Sequence, residues 1–161
     1  MKQAPIPKPR SKNSIYYLTI NSNVIFDGSP ESVEKAKVFE HAIREMFSEE
    51  HLFDYVKFTY PEFDNLAYIP QIDIHIAMEI QSNQASKNFI HSHCLISFLR
   101  HRSQLQMDYR KIKQDVKDKA NLPHLPYLNS KLIRNLTTFE DLKNQFVEYG
   151  EKFALDIQEQ S

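Results

Sequence analysis

The segment Ile90-His91-Ser92-His93-Cys94-Leu95-Ile96 is apolar and contains two histidines one residue apart. In a β-strand successive side chains point to opposite faces, so His91 and His93 share one face and Ser92 lies on the other. Two imidazoles held side by side on a rigid strand are a suitable pair of ligands for a divalent metal ion. An ordinary exposed sheet face also carries polar residues, and a His-x-His pattern alone does not separate the two interpretations.

Outside this segment, the hydrophobic periodicity predicts a mixture of strands and helices. The order strand, helix, strand, strand, helix, strand, helix favours an α+β fold, with an antiparallel sheet, helices on one face and an open, functional second face. The predicted elements are a strand at Ser14–Ile25, a helix capped by Ser29 that continues to Phe47, strands at Ile72–Gln81 and Phe89–Leu99, a helix at Ser103–Ala120, a short strand at Lys131–Leu136 and a final helix capped by Thr137 or Thr138.

An acidic residue lies on the polar face of the strand that precedes the histidines. Glu79 and His75 alternate with isoleucines there, and the polar linker that follows predicts a hairpin. If the hairpin closes around residues 83–87, Glu79 faces the same side as His91 and His93. Two imidazoles and one carboxylate leave open positions on a divalent ion for substrate oxygens. His75 is a possible further ligand or a support for one.

The final helix contains the pattern Tyr149-Gly150-Glu151-Lys152. Tyr149 lies at the edge of the apolar stripe of this helix, and Lys152 lies beside it on the more polar flank. The tyrosine can therefore point at the sheet while the lysine borders the same cleft. A core tyrosine beside a solvated lysine gives the same pattern. Because a glycine inside a helix costs about 1 kcal/mol relative to alanine, Gly150 predicts a close backbone approach.

On the first strand, Tyr17, Thr19 and Asn21 share one face. Aromatic and amide side chains on an open sheet can stack on unpaired bases and form hydrogen bonds with them. These three residues are therefore candidates for contacts with an unpaired nucleic-acid strand. An ordinary half-buried strand shows the same alternation.

The composition fits one domain at residues 14–161, preceded by a flexible, basic, proline-rich arm at residues 1–13. A formal net charge of −1 counts against a protein that coats nucleic acid through bulk electrostatics, but not against one that binds a short single strand locally. The single cysteine excludes an internal disulfide framework. We expect an intracellular protein without a signal peptide or membrane span. Glycine-rich motifs for phosphates or dinucleotides are absent, so no small-molecule cofactor is expected.

In this order, three motifs together resemble the HUH endonuclease superfamily, and within it the single-tyrosine replication-initiator (Rep) proteins of small DNA viruses and plasmids. The motifs are Leu18-Thr19-Ile20-Asn21, Glu79 before His91-Ser92-His93, and Tyr149-Gly150-Glu151-Lys152. The resemblance covers residues 14–156. It implies an antiparallel sheet of RRM-like, palm-like topology, with helices packed on one face and the metal and tyrosine site on the other.

The resemblance also implies roles for individual residues. His91, His93 and Glu79 would bind Mn²⁺ or Mg²⁺, Tyr149 would be the nucleophile and Lys152 a supporting cation. Two features depart from the family pattern. Ser92 stands where the family usually has a bulky apolar residue, and the connection from Glu79 to His91 is long, which leaves His75 as a possible substitute ligand. Tyr109 is a rival nucleophile that lacks the Tyr-x-x-Lys spacing.

The implied activity is metal-dependent, sequence-specific nicking and rejoining of single-stranded DNA at a replication origin or hairpin, through a 5′-phosphotyrosine. Such an enzyme initiates rolling-circle or rolling-hairpin replication, in the host cytoplasm or nucleus if it is viral. Three alternatives stay open. They are a transposase or relaxase of the same superfamily, a non-catalytic domain that binds single-stranded nucleic acid, and a hydrolytic metalloenzyme without a covalent step.

Overall fold

The computed structural model describes residues 14–52, 54–58, 72–82, 87–98 and 105–160; the predicted arm at residues 1–13 lies outside them. The described elements are β1 (Ser14–Ile25), α1 (Pro30–Met46), α2 (Glu49–Leu52), β2 (Val56–Phe58), β3 (Ile72–Ser82), β4 (Asn88–Phe98), β5 (Leu105–Met107), α3 (Tyr109–Lys119), β6 (Tyr127–Ile133) and α4 (Leu136–Gln160).

Four strands form an open antiparallel sheet in the order β3-β4-β1-β6, and β2 pairs with β5 in a separate ribbon. The α+β class and the antiparallel pairing of the two predicted neighbouring strands, β3 and β4, are confirmed. β1 has the predicted limits, β3 continues one residue further, to Ser82, and β4 begins one residue earlier, at Asn88. The predicted end of β4 at Leu99 lies outside the described residues.

The two faces of the sheet have different partners. Leu18 and Ile20 of β1 point into the main core, where they meet α1 and α3 together with Ile90 and Cys94 of β4. On the second face, Leu95 belongs to a smaller core beneath α4. Helices therefore lie on both faces, whereas the sequence predicted one helical face. The physical reason is that α4 has its own apolar stripe, which must be buried, and it packs mainly along β3. The second face is left open over β6.

Two predicted element boundaries are wrong. The helix predicted from Ser103 begins at Tyr109, because Asp108 caps it by accepting a hydrogen bond from the Lys111 N–H at 3.1 Å, while Leu105–Met107 pairs with β2. The short strand predicted at Lys131–Leu136 lies at Tyr127–Ile133.

The predicted cap of the final helix is also wrong. Neither Thr137 nor Thr138 caps α4. Instead Asn135 accepts a hydrogen bond from the Thr137 N–H at 2.7 Å, and its carbonyl accepts one from the Phe139 N–H. Asparagine is among the preferred residues at this position because its short side chain reaches the free N–H groups of the first turn.

Candidate active site

The hairpin of β3 and β4 places the predicted carboxylate beside the two histidines. Glu79 is the direct cross-strand partner of His91, and Ala77 is the partner of His93. Directly opposed residues share a face, so all three polar side chains point to the face on which α4 lies. Oε2 of Glu79 is 2.6 Å from Nε2 of His93. That hydrogen bond holds the pKa of the carboxyl below its ordinary value.

His93 is 7% exposed and has polar partners at both ring nitrogens. Its Nδ1 lies 3.0 Å from the hydroxyl of Tyr17 and 3.4 Å from that of Thr19. When the proton that joins His93 to Glu79 is on Nε2, Nδ1 accepts a hydrogen bond from the Tyr17 hydroxyl. When both ring nitrogens are protonated, Nδ1 donates to one of the two hydroxyl oxygens. Either way the imidazole is held in one orientation.

His91 lies beside His93 with its ring nearly parallel, at an angle of 10° and 6.4 Å between ring centroids. Its Nδ1 is 3.1 Å from the carbonyl oxygen of Phe89, to which it donates when protonated. That bond leaves Nε2 with a lone pair. Burial lowers the pKa of His91 below its ordinary value, because a charged imidazole is poorly solvated there. His91 is thus biased toward the neutral form that binds metals.

Tyr149 of α4 stacks on the imidazole of His93. The ring centroids are 5.2 Å apart and the planes make an angle of 27°. Phe146, one turn earlier, contacts the rings of both Tyr17 and His93, so α4 covers this imidazole with two aromatic side chains. Burial raises the pKa of the Tyr149 phenol, and the negative charge of Glu79 raises it further.

Lys152 lies three residues after Tyr149 on α4 and is exposed. Its positive charge lowers the pKa of Glu79, in addition to the larger effect of the His93 hydrogen bond. The lysine therefore acts electrostatically on the same cluster that Tyr149 covers. The glycine between them has open space around it, because a Cβ atom added at Gly150 would meet nothing within 4 Å. The predicted close backbone approach at Gly150 is therefore wrong.

Three predicted residues have surroundings that the sequence did not indicate. Tyr17 and Thr19, the predicted contacts for unpaired bases, lie within hydrogen-bonding distance of His93, since β1 lies directly beside β4. The side chain of Asn21 accepts a hydrogen bond from the N–H of Asn23, a residue with a left-handed backbone, φ 60°, at an irregularity in the strand. The alternation of β1 predicted the shared face but not the order of the strands.

Two further candidates lie away from the cluster. His75 packs edge-on against Phe139, and its Nε2 lies 2.7 Å from Asp73 Oδ1 without the geometry of a hydrogen bond. Nothing joins it to Glu79 among the described residues. Tyr109, the rival nucleophile, begins α3 and packs against the main core on the opposite side of the sheet.

The donor set suits a divalent cation, although the described residues contain no preformed group of three or more His, Cys, Asp or Glu side chains that could hold one. Two imidazoles and a carboxylate are the right chemical types, and each imidazole has a hydrogen-bonding partner at Nδ1, as metal-bound histidines usually do. His93 and Glu79 are hydrogen-bonded directly to each other. Metal binding would require that bond to open.

No protein-family model, no curated protein and no solved structure matches this chain. Among the described residues, no helix is long and apolar enough to span a membrane. The assignment of function therefore depends on the fold and on the geometry of this cluster.

Proposed function

We propose that this protein is a metal-dependent enzyme that nicks and rejoins single-stranded DNA in a sequence-specific manner, of the kind that initiates rolling-circle or rolling-hairpin replication. The observation that carries the proposal is the stacking of Tyr149 on His93, at 5.2 Å between ring centroids. It brings a phenol from the last helix next to a hydrogen-bonded His–Glu pair formed by the adjacent strands β4 and β3. A nucleophile beside a cation site is the arrangement that phosphodiester transfer requires.

The chemistry would be a transesterification at phosphorus. The Tyr149 oxygen attacks the scissile phosphate in line, the bond to the 3′ oxygen breaks, and the phenolic proton ends on the released 3′-hydroxyl. The DNA 5′ phosphate is then esterified to the tyrosine. Because one phosphodiester replaces another of similar energy, attack by a 3′-hydroxyl reverses the step and rejoins the strand without ATP.

The raised pKa of Tyr149 means that the site must stabilise the phenolate before this residue can attack. Burial and the charge of Glu79 both disfavour the phenolate. A divalent cation held by His91, His93 and Glu79 would supply positive charge to the phosphate oxygens and offset the carboxylate. Lys152 adds a second positive charge on the same side, since it already acts on Glu79. His93 keeps its orientation throughout, because Tyr17 holds the other ring nitrogen.

The decisive experiment follows both ends of the substrate. A single-stranded DNA pool of randomised sequence, labelled at either the 5′ or the 3′ end, is incubated with the protein and Mn²⁺ and separated on a denaturing gel. We expect the 3′-label to migrate with the protein until a protease is added. The 5′-label should appear in shorter fragments that a polymerase can extend. Sequencing of the covalently captured strands then gives the recognised sequence.

The variant Tyr149→Phe should bind the same DNA and form no covalent adduct. Tyr109→Phe is the matched control and should form the adduct as the wild type does, because Tyr109 lies on the opposite side of the sheet. Adducts formed by Tyr149→Phe would identify another nucleophile. Intact DNA with bound wild-type protein would favour the non-catalytic binding domain, and cleavage without an adduct would favour the hydrolytic metalloenzyme.

A further inference from the structure

The edge strand β6 presents a row of side chains on the face of the candidate active site. We call Tyr127, Asn129 and Lys131 the β6 row. The strand register pairs Lys131 with Tyr17 and Asn129 with Thr19, so the row lies directly beside the two residues that hold His93. Neighbouring strands are about 4.8 Å apart, which puts the row about 10 Å from the strand that carries the histidines.

The β6 row is exposed. Tyr127 is 63% exposed, and Asn129 and Lys131 are exposed as well. Within the described part of the chain, no side-chain hydrogen bond, ion pair or ring contact involves any of the three. By contrast, Tyr17 on the neighbouring strand is half-buried and occupied by His93. The β6 row is therefore more accessible to a ligand on this face than the side chain of Tyr17 is.

The charge of this part of the sheet suits a polyanion. β4, β1 and β6 contain no Asp or Glu, and the acidic residues of the sheet, Asp73 and Glu79, are both on β3 at the other side. The stretch 119–139 has no acid either, yet it supplies Lys131 and the exposed Arg134. In a chain with net charge −1, β1, β4 and β6 together thus carry one formal positive charge, that of Lys131, and no negative one.

We propose that the β6 row is the surface along which the single-stranded DNA substrate lies as it approaches Tyr149. Tyr127 stacks on a base, Asn129 forms hydrogen bonds with a base edge, and Lys131 contacts a phosphate. The aromatic ring, the amide and the cation follow one another along the strand at intervals of about 7 Å, which is the length of two residues of extended backbone. The assignment rests on the proposed function for its choice of ligand, and it concerns nucleotides that flank the scissile phosphate.

The test measures binding without chemistry. A fluorescently labelled oligothymidine is titrated with Tyr149→Phe protein in the presence of EDTA, and anisotropy gives Kd. In this background Tyr127→Ala should weaken binding about ten-fold, the effect of losing one stacked base, whereas Tyr127→Phe should restore it. Lys131→Gln should reduce the slope of log Kd against log salt concentration by about one. Leu132→Ala is the matched control, because Leu132 is 45% exposed on the opposite face of β6, and it should leave Kd unchanged.

Each outcome bears on the proposal. Equal affinities for Tyr127→Ala and Leu132→Ala, or no binding of the oligothymidine at all, would overturn the β6 row. Tighter binding of an oligouridine with the same dependence on Tyr127 would overturn the assignment to DNA. If binding depends on Tyr127 but the wild-type protein forms no adduct, the β6 row binds single-stranded DNA and the nicking proposal is wrong. If adducts form and their yield does not depend on Tyr127, the protein nicks DNA but the β6 row does not bind the substrate.

Discussion

The phenol of Tyr149 and the imidazole of His93 are stacked, with 5.2 Å between their centroids, although 56 residues separate them in the chain. The contact depends on two independent features of the sequence. Alternation along β4 turns His93 toward the second face of the sheet, and the apolar stripe of α4 docks its helix on that face. A shift of one residue in either element would separate the two rings.

The first prediction concerns the two histidines, which should differ in their structural roles. His91→Ala and His93→Ala should both abolish Mn²⁺-dependent adduct formation. His93→Ala should also lower the free energy of unfolding by about 1–3 kcal/mol, more than His91→Ala does, because it leaves Glu79 and the Tyr17 hydroxyl without the buried imidazole that joins them. Urea unfolding and calorimetric titration with Mn²⁺ measure the two effects. The control is His124→Ala, in an exposed loop. Adducts from either variant would remove the metal assignment.

Tyr17→Phe separates support of the metal site from contact with DNA. The variant keeps the ring contact with Phe146 but loses the hydroxyl that lies 3.0 Å from Nδ1 of His93. We expect Mn²⁺ affinity to fall about 10-fold or more, as is usual when the hydrogen-bonding partner of a metal-bound histidine is removed. Binding of single-stranded DNA in EDTA should be unchanged. The reverse result, intact metal affinity with weakened DNA binding, would mean that Tyr17 contacts bases. Tyr109→Phe is the control in both assays.

Stability should fall toward acid pH because of Glu79. Its pKa in the folded protein lies below the ordinary value of 4.5, so its contribution is complete above pH 4.5 and is lost as the pH falls through the folded pKa. His91 acts in the same direction, since its lowered pKa means that stability declines as the pH falls below its ordinary pKa of 6.5. Glu79→Gln should therefore be less stable than the wild type at pH 7 and less sensitive to pH below 4.5.

Urea midpoints measured across this pH range provide the check. Glu140→Gln is a suitable control for loss of a carboxylate, because Glu140 is exposed and its partner Lys143 lies on the same helix. A Glu79→Gln curve that runs parallel to the wild-type curve down to the lowest pH would show that Glu79 is not linked to folding.

The sequence predicted the elements that are governed by local periodicity and missed those that are governed by distant partners. The limits of β1, β3 and β4 follow from burial on each face, which repeats every two residues. Leu105–Met107 continues an apparent helical pattern and becomes a strand only because Val56–Phe58, far away in the chain, pairs with it. Likewise, the contact of Tyr17 with His93 requires β1 to lie beside β4, and strand order is not encoded in the alternation of either strand.

The fourth prediction is that Gly150→Ala stabilises the protein by about 1 kcal/mol, because alanine is favoured over glycine inside a helix by that amount and nothing lies within 4 Å of the added Cβ. Because the methyl group meets no neighbour, the stacking of Tyr149 on His93 and the yield of DNA adducts should be unchanged. Urea unfolding measures the gain, with Glu151→Ala at the next, exposed position as the control for a surface substitution on α4. Equal or lower stability for Gly150→Ala would mean that another group approaches the backbone here in the folded protein. Higher stability with reduced adduct yield would instead mean that substrate occupies the open space beside Tyr149.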